Sequence, residues 1–209
     1  MHIETRTTGF FEENCYFVSN PETRETVVID PGADAAQLIA RLQELEATVP
    51  AVLMTHGHAD HLSALAELAD TFSAPVYIHP LDAEWCFTDR AALPGFYDTP
   101  KKPGTPILTT LPITTPLILA GGHWTVMDTP GHSPGGVCWM LQEEQALFAG
   151  DTLFCGSAGR TDLPGGDSRT LTRSLRKLAA LPEDWTVYPG HGDPTTLSHE
   201  KKHNYFMQF

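Results

Sequence analysis

The segment Thr55-His56-Gly57-His58-Ala59-Asp60-His61 brings three imidazoles and one carboxylate into a single short stretch. Imidazole nitrogen and carboxylate oxygen are the donors that borderline divalent metals such as zinc or ferrous iron prefer, so the spacing points to metal binding. One loop cannot surround two cations from every side, and further donors are therefore expected elsewhere. Three stand in Gly-containing turns beside apolar runs: His132 in Pro130-Gly131-His132-Ser133-Pro134, Asp151 in Gly150-Asp151-Thr152, and His191 in Pro189-Gly190-His191-Gly192. Glycine allows the backbone to approach a crowded centre closely. His2, His79, His123, His199 and His203 have no such setting and are read as surface or structural residues.

These donors need rigid elements behind them. Cys15–Val18 and Thr26–Ile29 are β-favouring, separated by Asn20-Pro21 and closed by the turn signal Asp30-Pro31-Gly32, which predicts antiparallel strands. Apolar Ala35, Leu38, Ile39, Leu42 and Leu45 recur at helical spacing after Asp34, a candidate N-cap. Ala51–Met54 reads as a strand running directly into the histidine cluster, and Asp60 to Ala69 as one helix leaving it. The cluster is thus expected on a strand-to-helix loop, where a rigid scaffold can make side chains converge. Arg90 to Pro116 carries six prolines and is read as a long, mainly irregular excursion; Leu93, Phe96 and Tyr97 within it are a candidate cover for the site. Strands are expected again at Leu117–Leu119, Trp124–Met127, Val137–Met140 and Ala146–Ala149, then a helix over Ser168–Leu181 and a strand at Thr186–Tyr188. Strands followed by helices in each half predict an α/β fold, a four-layer αββα sandwich in which helices cover the outer faces of two packed sheets.

The 209 residues suit a single domain, 1–209, and 41% hydrophobic with 19% charged residues is ordinary for a globular chain. A formal charge of -13 argues against a nucleic-acid or anionic-membrane binder, which needs a basic footprint. Cys15, Cys86, Cys138 and Cys155 form no C-x-x-C pair and are read as reduced thiols. The opening residues lack the apolar core of a secretion signal, and no run reaches membrane-spanning length, so a cytoplasmic protein is expected. No oligomeric state is assigned.

In order and content, these motifs resemble the metallo-β-lactamase superfamily, and most closely its short, bacterial glyoxalase II-like (hydroxyacylglutathione hydrolase-like) branch. The resemblance runs over nearly the whole chain. It implies that His56, His58 and His132 bind one metal, that Asp60, His61 and His191 bind the other, and that Asp151 bridges them. Zinc is the first expectation for the two divalent ions, with iron and manganese compatible. Two such cations lower the pKa of a bound water from near 15.7 to roughly 7, which makes hydroxide available at neutral pH. Asp60 is the candidate catalytic residue, orienting that nucleophile or accepting its proton. The implied substrate is a small-molecule thioester such as S-D-lactoylglutathione.

Within the superfamily, the antibiotic-hydrolysing lactamases usually carry a cysteine where Asp151 stands, and flavodiiron-type proteins a glutamate where His58 stands. The acidity of the chain argues against the RNA-processing members. Gly159-Arg160-Thr161-Asp162-Leu163-Pro164-Gly165-Gly166-Asp167 resembles a motif shared by short glyoxalase II-like proteins and persulfide dioxygenases. Arg160 is the expected contact to a glutathione carboxylate. Glyoxalase II has a tyrosine where Asp162 stands, and only 18 residues follow His191, so no separate C-terminal helical substrate domain is expected. Lys201 and Lys202 are then candidate substitutes for substrate binding. The alternative, a mononuclear iron persulfide dioxygenase, would use His56, His132 and Asp151. A non-catalytic metal-binding member is the third reading.

Overall fold

The computed structural model describes residues 1–209. Alternating side chains in β1 (His2–Thr8) and β2 (Glu13–Ser19) pair antiparallel, and β3 (Thr26–Ile29) continues the meander. Helix α1 (Ala35–Glu44) then carries the chain over the sheet, so β4 (Val52–Leu53) joins β3 in parallel. Two short helices, α2 (Ala59–Leu62) and α3 (Leu65–Phe72), make the next crossover to β5 (Val76–Tyr77). Past α4 (Pro80–Ala83), β6 (Ile107–Leu108) closes a six-stranded sheet of order β1-β2-β3-β4-β5-β6.

The second sheet is built from β7 (Leu117–Leu119), β8 (Gly122–Asp128), β9 (Val137–Leu141) and β10 (Ala146–Gly150), all antiparallel neighbours. A small hairpin of β11 (Leu153–Phe154) and β12 (Ser157–Ala158) leads to helix α5 (Ser168–Ala179), which returns the chain so that β13 (Thr186–Pro189) lies parallel to β10. Then come β14 (Thr195–Thr196), helix α6 (Leu197–His203) and a closing 3₁₀ turn at Tyr205–Met207. The order across this sheet is β14-β13-β10-β9-β8-β7.

Three apolar layers follow from the period-2 alternation of the strands. Cys15 and Phe17 face outward from β2 and pack with Leu38, Leu42, Leu65 and Leu68 of the helices. Their neighbours Tyr16 and Val18 face the other way, against Trp124, Trp139, Leu141 and Phe148 of the second sheet. On the far side, Cys138, Met140 and Leu147 meet Leu171, Leu175 and Leu178 of α5. Helix, sheet, sheet, helix is the αββα sandwich the sequence predicts.

Two local expectations are corrected, and a third is qualified. The helix expected over Asp60–Ala69 is two helices, because the Ala64 N–H donates to the Pro31 carbonyl at 3.1 Å and the Ser63 hydroxyl to the Ala59 carbonyl at 2.6 Å. Asp34 stands at the N-cap position of α1 but caps nothing; it accepts the Gly9 N–H at 2.9 Å. The proline-rich excursion contains β6, too short to show a period. No helix is long and apolar enough to cross a membrane.

Candidate metal centre

Five strands end at one rim of the sandwich, and each hands its next residues to the same place. Asp30 follows β3, the His56–His61 loop follows β4, His132 lies beyond β8, and Asp151 and His191 come just after β10 and β13. The close approach depends on glycine: a Cβ on Gly190 would stand 2.2 Å from Asp151 Oδ1 and 2.7 Å from the His61 ring. The loop around His191 is stitched to the start of the chain. Asn14 N–H donates to the Gly190 carbonyl at 2.8 Å, the Tyr16 hydroxyl to the Pro189 carbonyl at 2.6 Å, and His191 Nδ1 to the Phe11 carbonyl at 2.9 Å.

Ring partners fix which nitrogens face inward. A carboxylate or carbonyl oxygen can only accept, so the nitrogen bonded to it carries the proton and the other keeps its lone pair. His61 Nδ1 donates to Asp30 Oδ2 at 3.0 Å, His132 Nδ1 to the Arg160 carbonyl at 2.8 Å, and His191 Nδ1 to Phe11 as above. Their Nε2 atoms turn to one carboxylate: His61 and His191 lie 3.3 and 3.7 Å from Asp151 Oδ1, and His132 lies 3.4 Å from Asp151 Oδ2. His58 Nδ1 is 2.8 Å from His132 Nε2, and Asp60 Oδ2 is 3.5 Å from His191 Nε2.

Donor atoms within 4.8 Å of one another form three sets, His56-His58-His132, Asp60-His61-His191 and Asp30-His56-His61. The third is already committed, because Asp30 also accepts the Thr55 N–H at 2.7 Å and the Thr55 hydroxyl. His56 Nε2, His61 Nε2 and Asp151 Oδ1 are buried without a hydrogen-bond partner, an arrangement that costs free energy unless a cation takes the lone pairs. The residues therefore fit a divalent metal with N and O ligands.

A family model described as the metallo-β-lactamase superfamily matches residues 8–191. The chain belongs to that superfamily. Among curated relatives, hydroxyacylglutathione hydrolase GloC of Haemophilus influenzae is 34% identical over 215 residues, covering 99% of this chain and 98% of that protein. Among solved structures, the B3 metallo-β-lactamase BLEG-1 is 39% identical with a TM-score of 0.90, and both chains are covered in full. TTHA1623, solved in a di-iron-bound form, is also 39% identical, with a TM-score of 0.81 and coverage of 97% and 99%.

Electrostatics at this superfamily site separate two kinds of histidine. Burial, and then the neighbouring His61, push His56 well below its ordinary range, while burial and then His132 push His58 down to about 4. Both are ready as neutral ligands. Burial opposes charge on His61 too, but Asp151 and Asp60 outweigh it and hold His61 well above its ordinary range. Burial would likewise raise Asp151, and His61 and His132 reverse that and keep it ionised. A cation at His61 Nε2 would take the place of the proton that Asp151 and Asp60 favour there.

Above these residues opens a cavity of about 700 Å³ whose walls include Phe11, Leu93, Phe96, Phe154 and Leu163. The proline-rich stretch thus supplies one wall, with Phe96 packed on Phe10 and Phe11 at ring separations of 4.8 and 5.0 Å. Arg160 lines the mouth but is exposed and paired with Asp162 through two bonds of 2.6 and 2.7 Å. Its carbonyl, which anchors His132, was invisible in the sequence. Lys201 and Lys202 do not line this cavity, and Lys201 Nζ donates to the Leu181 carbonyl at 2.7 Å instead. Their expected contact with substrate is corrected accordingly.

Asp30 is the supporting residue that sequence reading passed over, since Asp-Pro-Gly reads as a turn. It orients His61 and ties down Thr55 at once. Fully buried Glu13, which accepts the Thr8 hydroxyl at 2.9 Å and lies 3.6 Å from His61 Nδ1, was also missed. Inside a β-strand it reads as a solvent-facing residue.

Proposed function

We propose that this metal-dependent hydrolase is a binuclear thioesterase that acts on hydroxyacyl thioesters such as S-D-lactoylglutathione, with residues 1–209 as one catalytic unit. The observation that carries the reading is the meeting of two three-residue donor sets at Asp151, on the floor of a largely apolar cavity. His56, His58 and His132 would hold one cation, Asp60, His61 and His191 the other, and Asp151 would be shared between them. Similarity to a hydroxyacylglutathione hydrolase over almost the full length supports the thioester. Zinc, iron and manganese all suit this donor mixture.

When bound, two divalent ions supply Lewis acidity that polarises a carbonyl and lowers the pKa of water. The chain's own residues do the rest. Asp60 lines the cavity, and its carboxylate would orient the attacking water or accept its proton as well as serve as a ligand. The apolar walls exclude bulk water and strengthen every charge interaction on the floor. Arg160, on exchanging Asp162 for substrate, would meet a carboxylate of the thiol portion at the mouth. Three buried free cysteines and one exposed one support a reducing, cytoplasmic setting.

Metal analysis of the purified protein, together with hydrolysis of S-D-lactoylglutathione and oxygen uptake on glutathione persulfide, tests the reading. Two metals per chain with hydrolysis and no oxygen uptake is expected. One iron with oxygen uptake would replace it by the dioxygenase, and two metals with no turnover of any ester by the non-catalytic member. Full-length similarity to a B3 metallo-β-lactamase favours one second reading, β-lactam hydrolysis, and a nitrocefin assay on the same preparation decides it.

A further inference from the structure

Two fully buried carboxylates, Asp82 and Glu200, take no part in the metal site or the cavity, and Asp82, in α4 between β5 and β6, is the one that meets the donor loops. A buried carboxylate persists only where donors surround it, and here they come from two distant loops. Gly57 N–H donates to Asp82 Oδ2 at 2.9 Å, the Ser133 hydroxyl to Oδ2 at 2.6 Å, and Gly135 N–H to Oδ1 at 2.7 Å. Gly57 lies between His56 and His58, and Ser133 directly follows His132.

The same contact leaves little slack. A Cβ on Gly135 would stand 2.8 Å from both the Asp82 N and its Oδ1, and one on Gly57 would stand 2.9 Å from the Cys86 Cβ and 3.2 Å from the Asp82 Cβ. Helix α4 is itself fixed, because the His79 side chain accepts the Leu81 N–H at its N-terminus. All three groups that meet the carboxylate are donors. An ionised carboxylate accepts on both oxygens, whereas an amide would set its own N–H₂ against at least one of them.

We propose that Asp82 is a positioning residue for the metal site: by tying Gly57, Ser133 and Gly135 to one carboxylate, it sets the separation of His58 and His132. The proposal rests on the reading that His56, His58 and His132 hold one cation. Asp82 touches none of these side chains, so its effect must fall on the geometry of one donor set and spare Asp60-His61-His191.

The test is titration of metal-stripped parent, Asp82→Asn and Ser133→Ala proteins with cobalt(II), followed by visible absorption, with far-UV circular dichroism to check folding. In Asp82→Asn one of two cobalt equivalents should bind about tenfold to a hundredfold more weakly, the loss typical of removing an outer partner of a metal ligand, while the other keeps its parent affinity. Ser133→Ala should weaken that same equivalent by less. Equal weakening of both equivalents, or parent-like binding by both variants, overturns the proposal. If Asp82→Asn does not fold, Ser133→Ala decides alone, a selective loss supporting and parent-like binding overturning it. A parent protein that takes up no cobalt overturns the underlying metal reading instead.

Discussion

The floor and the mouth of one cavity are built on opposite principles. On the floor, His61 is wholly buried and held by Asp30, while His132 is held by the Arg160 carbonyl and His191 by the Phe11 carbonyl. At the mouth, the Arg160 side chain is 64% exposed and Phe96 is 53% exposed. Burial makes each polar contact on the floor strong and its loss costly, whereas water and salt weaken the contacts at the mouth. On the proposed reading, chemistry sits on the buried floor, and substrate choice sits at an exposed mouth where substitutions cost little stability.

Substitutions should divide along that line. The largest effect is expected for His132→Ala, which removes a donor shared between the three-histidine set and Asp151: kcat/KM should fall about a thousandfold or more, near 4 kcal/mol of transition-state stabilisation, with one metal lost per chain. Steady-state kinetics and metal analysis of the same sample check it. Next comes metal removal. At free metal one hundred times Kd, binding adds about 2.7 kcal/mol, so dialysis against a chelator should lower Tm by about 5–10 °C, reversibly on adding metal back; an unchanged Tm would separate the floor from metal altogether.

Asp30→Asn should cost about 2–3 kcal/mol in urea unfolding, because the amide presents a donor where the Thr55 and His61 donors converge in a buried space. A midpoint equal to that of the parent would show the floor to be less constrained than its contacts imply. At the mouth, Phe96→Ala should raise KM for S-D-lactoylglutathione about threefold with kcat nearly unchanged. The smallest effect is expected for Arg160→Ala, with no measurable change in Tm and a rise in KM confined to anionic substrates and reduced by added salt. A large drop in Tm from either mouth variant would erase the distinction.

The same division governs what could be read from sequence. His56, His58 and His61 announce themselves because the donors are adjacent, and His132, Asp151 and His191 because each follows an apolar run in a glycine turn. The β-favouring run Cys15–Val18 was enough to imply a strand. Asp30 and Asp82 were not legible, since their meaning lies in donors 25 or more residues away that only the folded chain brings to them. Lys201 and Lys202 misled for the converse reason: charge in a sequence suggests a ligand, but α6 turns Lys201 onto a backbone carbonyl. The break at Ser63 arises from the Pro31 carbonyl, again a tertiary partner that overrides local periodicity.

The stitching of Asn14 and Tyr16 to the loop at Pro189 and Gly190 also has a meaning in time. These bonds span sequence separations of about 175 residues, so a large loop must close before they can form, and contacts of that kind are made late in folding. While the chain emerges from the ribosome, the first sheet can assemble its strands and the His56–His61 loop, yet His191 has not been synthesised. A nascent chain of that length holds four of the seven proposed donors, His56, His58, Asp60 and His61. The proposed donor set is complete only once every residue through His191 has been made and the two ends of that span have met.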